Sequence, residues 1–222
     1  MEGFLLIDKP ATWTSHDVVG YLRKITRIKK IGHAGTLDPF ATGLLIVAIG
    51  RNATKRLEEF KNMHKEYVAT LMLGAVSDTF DKTGKITVQE KKIVEQIKIE
   101  NLLKTFIGEQ TQIAPMYSAK KIGGQKLYDL ARQGIEIERK PHHITISHIQ
   151  LLSFEYPLVQ IKVMCSPGTY IRTLASDIGE KLGTGAYCEE LCRTAIGEYI
   201  VENALPVQTL TPQIIEKALF LA

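Results

Sequence analysis

Six consecutive apolar residues, Leu44-Leu-Ile-Val-Ala-Ile49, closed by Gly50, constrain this chain more than any other feature. A run without polar alternation has to be covered on both faces, so it reads as a central strand of a sheet. The segment before it, Gly32-His-Ala-Gly-Thr-Leu-Asp-Pro-Phe-Ala-Thr-Gly43, holds three glycines, a proline, a histidine and an aspartate. A loop is therefore expected over residues 31–43. Glycines adopt backbone geometry that side chains forbid and let another molecule approach closely. A carboxylate in such a loop, anchored by a rigid strand, suits a nucleophile. A turn begun by Asp38-Pro39, with Asp38 as its cap, accounts for the same residues.

Elsewhere, residues 3–9 read as a short buried strand stopped by Pro10. Thr14-Ser15 offers a helix N-cap, and Val18, Val19, Leu22 and Ile25 recur at helical spacing to about residue 28. Strands are expected at 67–73, 144–152, 157–165 and 195–201, and helices at 92–106 and 169–182, with a helical tail over 206–221. Strands and helices do not alternate regularly, which favours an α+β fold around one broad sheet. No repeat, low-complexity tract or linker divides the chain.

Composition narrows the function classes. No stretch reaches the roughly 18 uncharged apolar residues of a membrane span, and the N-terminus lacks the basic and apolar regions of a signal peptide. The cytoplasm is the default location. Cys165, Cys188 and Cys192 complete no zinc set and read as three reduced thiols. Net charge is only +4, but five of the eight residues from Arg23 to Lys30 are basic and none is acidic. Further basic residues follow at Arg51, Lys55, Arg56, Lys61 and Lys65, then at Lys120, Lys121 and Lys126. Such clustering suits a polyanionic partner, although a lysine-rich stretch is also an ordinary solvated face.

The segment 32–45 closely resembles the catalytic motif of the bacterial tRNA pseudouridine-55 synthase family, the TruB family. Four further blocks match in the family's order: Asp8-Lys-Pro10 with Thr14-Ser15; Lys65-Glu-Tyr-Val-Ala69; Gln112-Ile-Ala-Pro-Met-Tyr-Ser-Ala119 with Tyr128-Asp-Leu-Ala-Arg132; and Gly168-Thr-Tyr-Ile-Arg-Thr-Leu174. The resemblance implies the α+β pseudouridine-synthase fold, a mixed and mostly antiparallel sheet with flanking helices and an RNA-gripping insertion over about 112–143. It implies isomerisation of the uridine at position 55 in the T loop of tRNA, by base flipping and covalent attack, with no cofactor or metal.

Carried over by motif, Asp38 is the nucleophile, attacking either the base C6 or the sugar C1′, a choice the residues leave open. Arg172 is its charge partner, because a buried carboxylate resists ionisation without one. Tyr67 stacks on the flipped base. His33 wedges among the loop bases. Tyr170 and Leu191 pack around the reacting groups, with plain core packing an equal account of Leu191. Lys9, with Pro10, shapes the floor on the substrate side. Lys120, Lys121 and Arg132 meet phosphates from the insertion.

Three positions depart from the family pattern. Thr12 stands where glycine is usual, Ala114-Pro115 replaces a double proline, and Leu191-Cys192-Arg193 replaces Leu-Arg-Arg. The expected organisation is a catalytic domain over 1–205 and a short helical tail over 206–222, without the PUA domain of many relatives. The expected partner is the T-arm of tRNA, bound by a monomer that needs no protein partner. Two rivals use the same residues: an RNA-binding tRNA-folding chaperone without catalysis, and a glycosidase. The intact Asp38, Tyr67 and Arg172 set argues against the first. The second needs a second carboxylate about 5–9 Å away, and no matched block supplies an evident one. A synthase acting on another RNA stays open.

Overall fold

The computed structural model describes residues 1–118 and 120–221, without the side chains of Lys121 and Lys126. Two compact units emerge, residues 1–67 with 191–222, and residues 68–190.

In the first unit the chain forms β1 (Gly3–Lys9), α1 (Ser15–Thr26), β2 (Ile31–Ala34), β3 (Thr42–Ile49), α2 (Arg51–Lys55) and α3 (Leu57–Lys61). The apolar run is the middle strand. β1 lies antiparallel along one edge of β3, from Gly3 opposite Ile49 to Lys9 opposite Gly43. β2 takes the other edge, from Ile31 opposite Ile49 to Ala34 opposite Ile46. The expected loop over 31–43 is therefore shorter, because its first four residues pair with β3. Leu5, Ile7, Leu45, Val47 and Ile49 face Val18, Val19 and Leu22 of α1. Phe4, Leu44, Ile46 and Ala48 face Ala53, Leu57 and Phe60 of α2 and α3. Both faces of β3 are covered, which is why its sequence does not alternate. Each large side chain buried there contributes roughly 1.5–3 kcal/mol.

Helix α1 starts at a capping box, with the Asp17 amide donating to the Thr14 hydroxyl and the Thr14 amide to the Asp17 carboxylate. It stops at Arg27, whose φ of 59° cannot continue a helix.

β4 (Lys65–Leu73) carries the chain into the second unit. There follow β5 (Ala75–Ser77), β6 (Ile86–Val88), α4 (Gln96–Lys104), β7 (Gly108–Gln112), β8 (Lys121–Ile122), β9 (Gln125–Lys126), α5 (Leu127–Arg132), β10 (His142–Glu155), β11 (Leu158–Cys165) and α6 (Ile171–Leu182). The strands run in the order β4-β11-β10-β7, with β10 antiparallel to both neighbours. Gly179 brings α6 against the chain at Gly185 and Ala186, where a Cβ would lie 2.1 Å from the Ala186 nitrogen.

β12 (Ala186–Ile196) leads back to the first unit and runs parallel to β3 there, with Cys192 opposite Thr42 and Arg193 opposite Gly43. β13 (Tyr199–Ile200), β14 (Leu205–Pro206) and α7 (Pro212–Ala218) complete the chain, with β14 parallel to β1. The expected last strand at 195–201 is thus the end of a much longer β12 plus a separate β13. The helical tail narrows to α7 after a 3-10 turn at Val207–Thr209. The helix expected at 92–106 contracts to α4. The class is α+β with mostly antiparallel pairing, as the sequence implies. Among the described residues no helix is long and apolar enough to cross a membrane.

Candidate active site

Asp38 lies half-buried between β2 and β3, and its neighbours are fastened through their main chains. The Ser15 hydroxyl accepts from the Leu37 amide at 2.9 Å and lies 3.3 Å from the Leu37 carbonyl. The Pro39 carbonyl accepts from the Thr12 amide at 2.7 Å and, at 3.5 Å, from the Lys9 ammonium. The residues before and after Asp38 are therefore held by the N-terminal segment. Arg193 secures the ends of the loop. Its side chain is 1% exposed and donates from Nε to the Leu44 carbonyl at 2.8 Å and from Nη2 to the Gly35 carbonyl at 3.1 Å. Gly43, at φ 100°, passes so close to Arg193 that a Cβ would sit 2.4 Å from its carbonyl oxygen.

The electrostatics of this platform are set by buried cations. Lys9 is completely buried and donates to the carbonyls of Pro10, Trp13 and Pro39. Burial pulls its ammonium down to about 8, while the charge of Asp38 raises it and that of Arg193 lowers it further. Its hydrogen bonds among the described residues go to main-chain carbonyls of the N-terminal segment and of the Asp38 loop. His33 sits on β2, half-buried, opposite Val47. Burial, then the charges of Arg193 and His16, hold its imidazole below the ordinary value. A neutral ring at neutral pH suits contact with bases more than pairing with phosphates. Its Nδ1 is buried without a hydrogen-bond partner among the described residues. Tyr67 is half-buried on β4, and Leu191 is 7% exposed on β12.

In the second unit Arg172 occupies the first turn of α6 and is 3% exposed, rather than a surface residue. Nη1 donates to the Thr79 carbonyl at 2.8 Å and lies 3.2 Å from the Asp81 carboxylate. Nη2 donates to the Tyr117 carbonyl at 2.7 Å. The other oxygen of Asp81 accepts from the Thr79 hydroxyl and from the Thr83 amide and hydroxyl. A buried ion pair survives desolvation only when its remaining positions are satisfied this way. Asp81 was not foreseen, because its only signal in the sequence is a polar turn. Ser15 and Arg193 were each legible as part of a motif but not as tethers of the Asp38 loop.

The expected insertion forms a β8–β9 hairpin turning at Gly123-Gly124, then α5. Lys120 is half-buried, and Arg132 is exposed with its guanidinium 5.5 Å from the centre of the Tyr128 ring. The side chain of Lys121 lies outside the described residues. Among those described, no group of histidine, cysteine and carboxylate residues could hold a metal ion. Asp38 is thus half-buried in a loop whose main chain is tethered on both sides, within electrostatic reach of the buried Lys9 ammonium.

The model of the TruB family pseudouridylate synthase N-terminal domain matches residues 23–171, and that of the tRNA pseudouridylate synthase B C-terminal domain matches residues 172–219. The chain is 47% identical over 219 residues to tRNA pseudouridine synthase B of Clostridium tetani, covering 98% of this chain and 75% of the relative. It is 48% identical over 205 residues to the same-named protein of Protochlamydia amoebophila, covering 92% and 78%. Among solved structures, a chain of a Cbf5-Nop10-Gar1 complex superposes with a TM-score of 0.74 at 30% identity, covering 96% of this chain and 54% of that one. A chain of an H/ACA RNP bound to a substrate RNA containing 2′-deoxyuridine gives 0.72 at 29%, covering 96% and 53%. The present chain thus spans about half the length of those two.

Proposed function

The chain belongs to the TruB family of pseudouridylate synthases, and from that membership we propose that it converts the uridine at position 55 in the T loop of tRNA to pseudouridine. The reaction breaks the bond from N1 to C1′ and makes one from C5 to C1′. The C5 proton is lost and N1 gains one, so atoms balance without a co-reactant. What the protein has to supply is access, a nucleophile and a fixed geometry.

Access comes from flipping the base out of its stack, which costs a few kcal/mol. In this reading His33 occupies the vacated place, Tyr67 stacks on the extruded uracil, and Tyr170 and Leu191 pack around it. Lys120, Lys121 and Arg132 of the insertion meet backbone phosphates, which position the RNA without reading its sequence. Asp38 attacks covalently, and Arg172 supplies the positive charge that keeps the reacting carboxylate ionised. The protein acts on the T-arm as a monomer, without a protein partner.

The observation that carries the reading is the Asp38 platform, where the main chain on both sides of one carboxylate is fastened by Ser15, Thr12 and Lys9. A simple turn cap has no need of such tethers. The test uses a T-arm stem-loop tritiated at uracil C5. Wild type should release tritium, and Asp38→Asn should release at least about 10³-fold less, as for loss of a covalent nucleophile. Release by both proteins, or by neither, would sink the assignment.

A further inference from the structure

Beyond the residues named above, and resting on the reading just proposed, we propose that Gln112 is a positioning residue that aims Arg172 by locking the stem of the RNA-gripping insertion to the entrance of α6. Gln112 ends β7 and is 4% exposed. Its Nε2 donates to the Tyr170 carbonyl at 3.0 Å, and its Oε1 accepts from the Tyr170 amide at 2.8 Å. One partner can only accept and the other only donate, so the orientation of the amide is fixed. Tyr170 is the N-cap of α6 and makes no side-chain cap bond; Gln112 instead fixes this residue from another strand, through its own amide and carbonyl.

The opposite strand grips the same turn. His142, paired with Gln112 across β10 and β7, places Nε2 3.1 Å from the Gly168 carbonyl and its ring edge-on to Tyr170 at 6.0 Å. Residues 112 and 142 are also where the insertion leaves and rejoins the sheet. Two residues after Tyr170, Arg172 donates to the Tyr117 carbonyl, inside that insertion. Arg172 is thus held from behind by the start of α6 and from in front by the insertion, and Gln112 keeps those two supports in register. A small misplacement of such a group lowers the rate rather than the affinity.

The test is turnover of the T-arm stem-loop by the full chain, separated into kcat and KM, with thermal unfolding recorded for each variant. Gln112→Ala should lower kcat about 10–100-fold while KM stays within about twofold. Gln112→Glu, nearly the same shape, turns the donor toward Tyr170 O into an acceptor. It should show the same loss at pH 8 and recover relative to wild type toward pH 5, as a protonated carboxyl regains the donor. On an Arg172→Lys background Gln112→Ala should add little, because the two act as one unit. Wild-type kcat in both variants, a loss confined to KM, or full additivity with Arg172→Lys overturns the inference alone. A wild type that forms no pseudouridine overturns the reading beneath it as well.

Discussion

Thr12 occupies a backbone region that branched side chains avoid, with φ of 70°. Its amide nonetheless makes the 2.7 Å bond to Pro39 that steadies one side of Asp38. The family's usual glycine at this position now has a physical reason, since glycine meets no Cβ penalty there. In this chain the loop pays about 1–2 kcal/mol to keep a threonine in left-handed geometry. Its side chain is exposed, so little packing offsets that cost. Thr12→Gly should therefore stabilise the protein by about 0.5–1 kcal/mol, the strain relieved less the added flexibility of glycine. The catalytic rate should be unchanged, since the amide bond persists. Urea unfolding and the tritium assay check the two halves; a less stable variant would show that Thr12 is not strained.

Among the elements, α6 combines a precise N-terminus with a poorly solvated carboxylate further along. Burial raises Asp177 to about 6, and the charge of Glu180 adds to that. The folded state then holds a proton more tightly than the unfolded chain between pH of about 4 and 6. Stability from this group is present at low pH and lost as pH rises through that window. Asp177→Asn should stabilise the fold at pH 7.5 by roughly 1–2 kcal/mol, with the gain gone near pH 4. Melting curves at the two pH values decide it, and an equal gain at both would refute the cause. Elements with a strong apolar pattern were legible from sequence: β1, β3, β10, β11, α1 and α6. β12 was not, because Ala186-Tyr-Cys-Glu-Glu-Leu-Cys-Arg mixes polar and apolar residues and becomes a strand only through distant neighbours. β2 escaped for the same reason, as Ile-Gly-His-Ala has no period until β3 lies beside it. Asp38, Arg172 and the insertion were legible as motifs. Asp81 and the Gln112 clamp were not, since a hydrogen bond spanning 58 positions leaves no local trace.

For the whole molecule, a net charge of +4 understates what RNA meets. Lys24, Arg27, Lys29, Lys30, Arg51 and Lys55 are all exposed, as are Arg132 and Lys140. If about five phosphates are neutralised, the plot of log affinity for tRNA against log salt should have a slope of about −4. Filter binding between 50 and 200 mM salt measures it, and a slope near zero would remove the electrostatic account. The Arg193 tether has a consequence of another kind. Its bond to Leu44 joins residues 149 positions apart. Translation at about 5–20 residues per second separates their synthesis by about 7–30 s. During that interval the nascent chain already carries Asp38 but lacks the residue that closes the loop around it. In the proposed role of Asp38, a product truncated before Arg193 would carry the nucleophile without the side chain that ties Leu44 and Gly35 beside it.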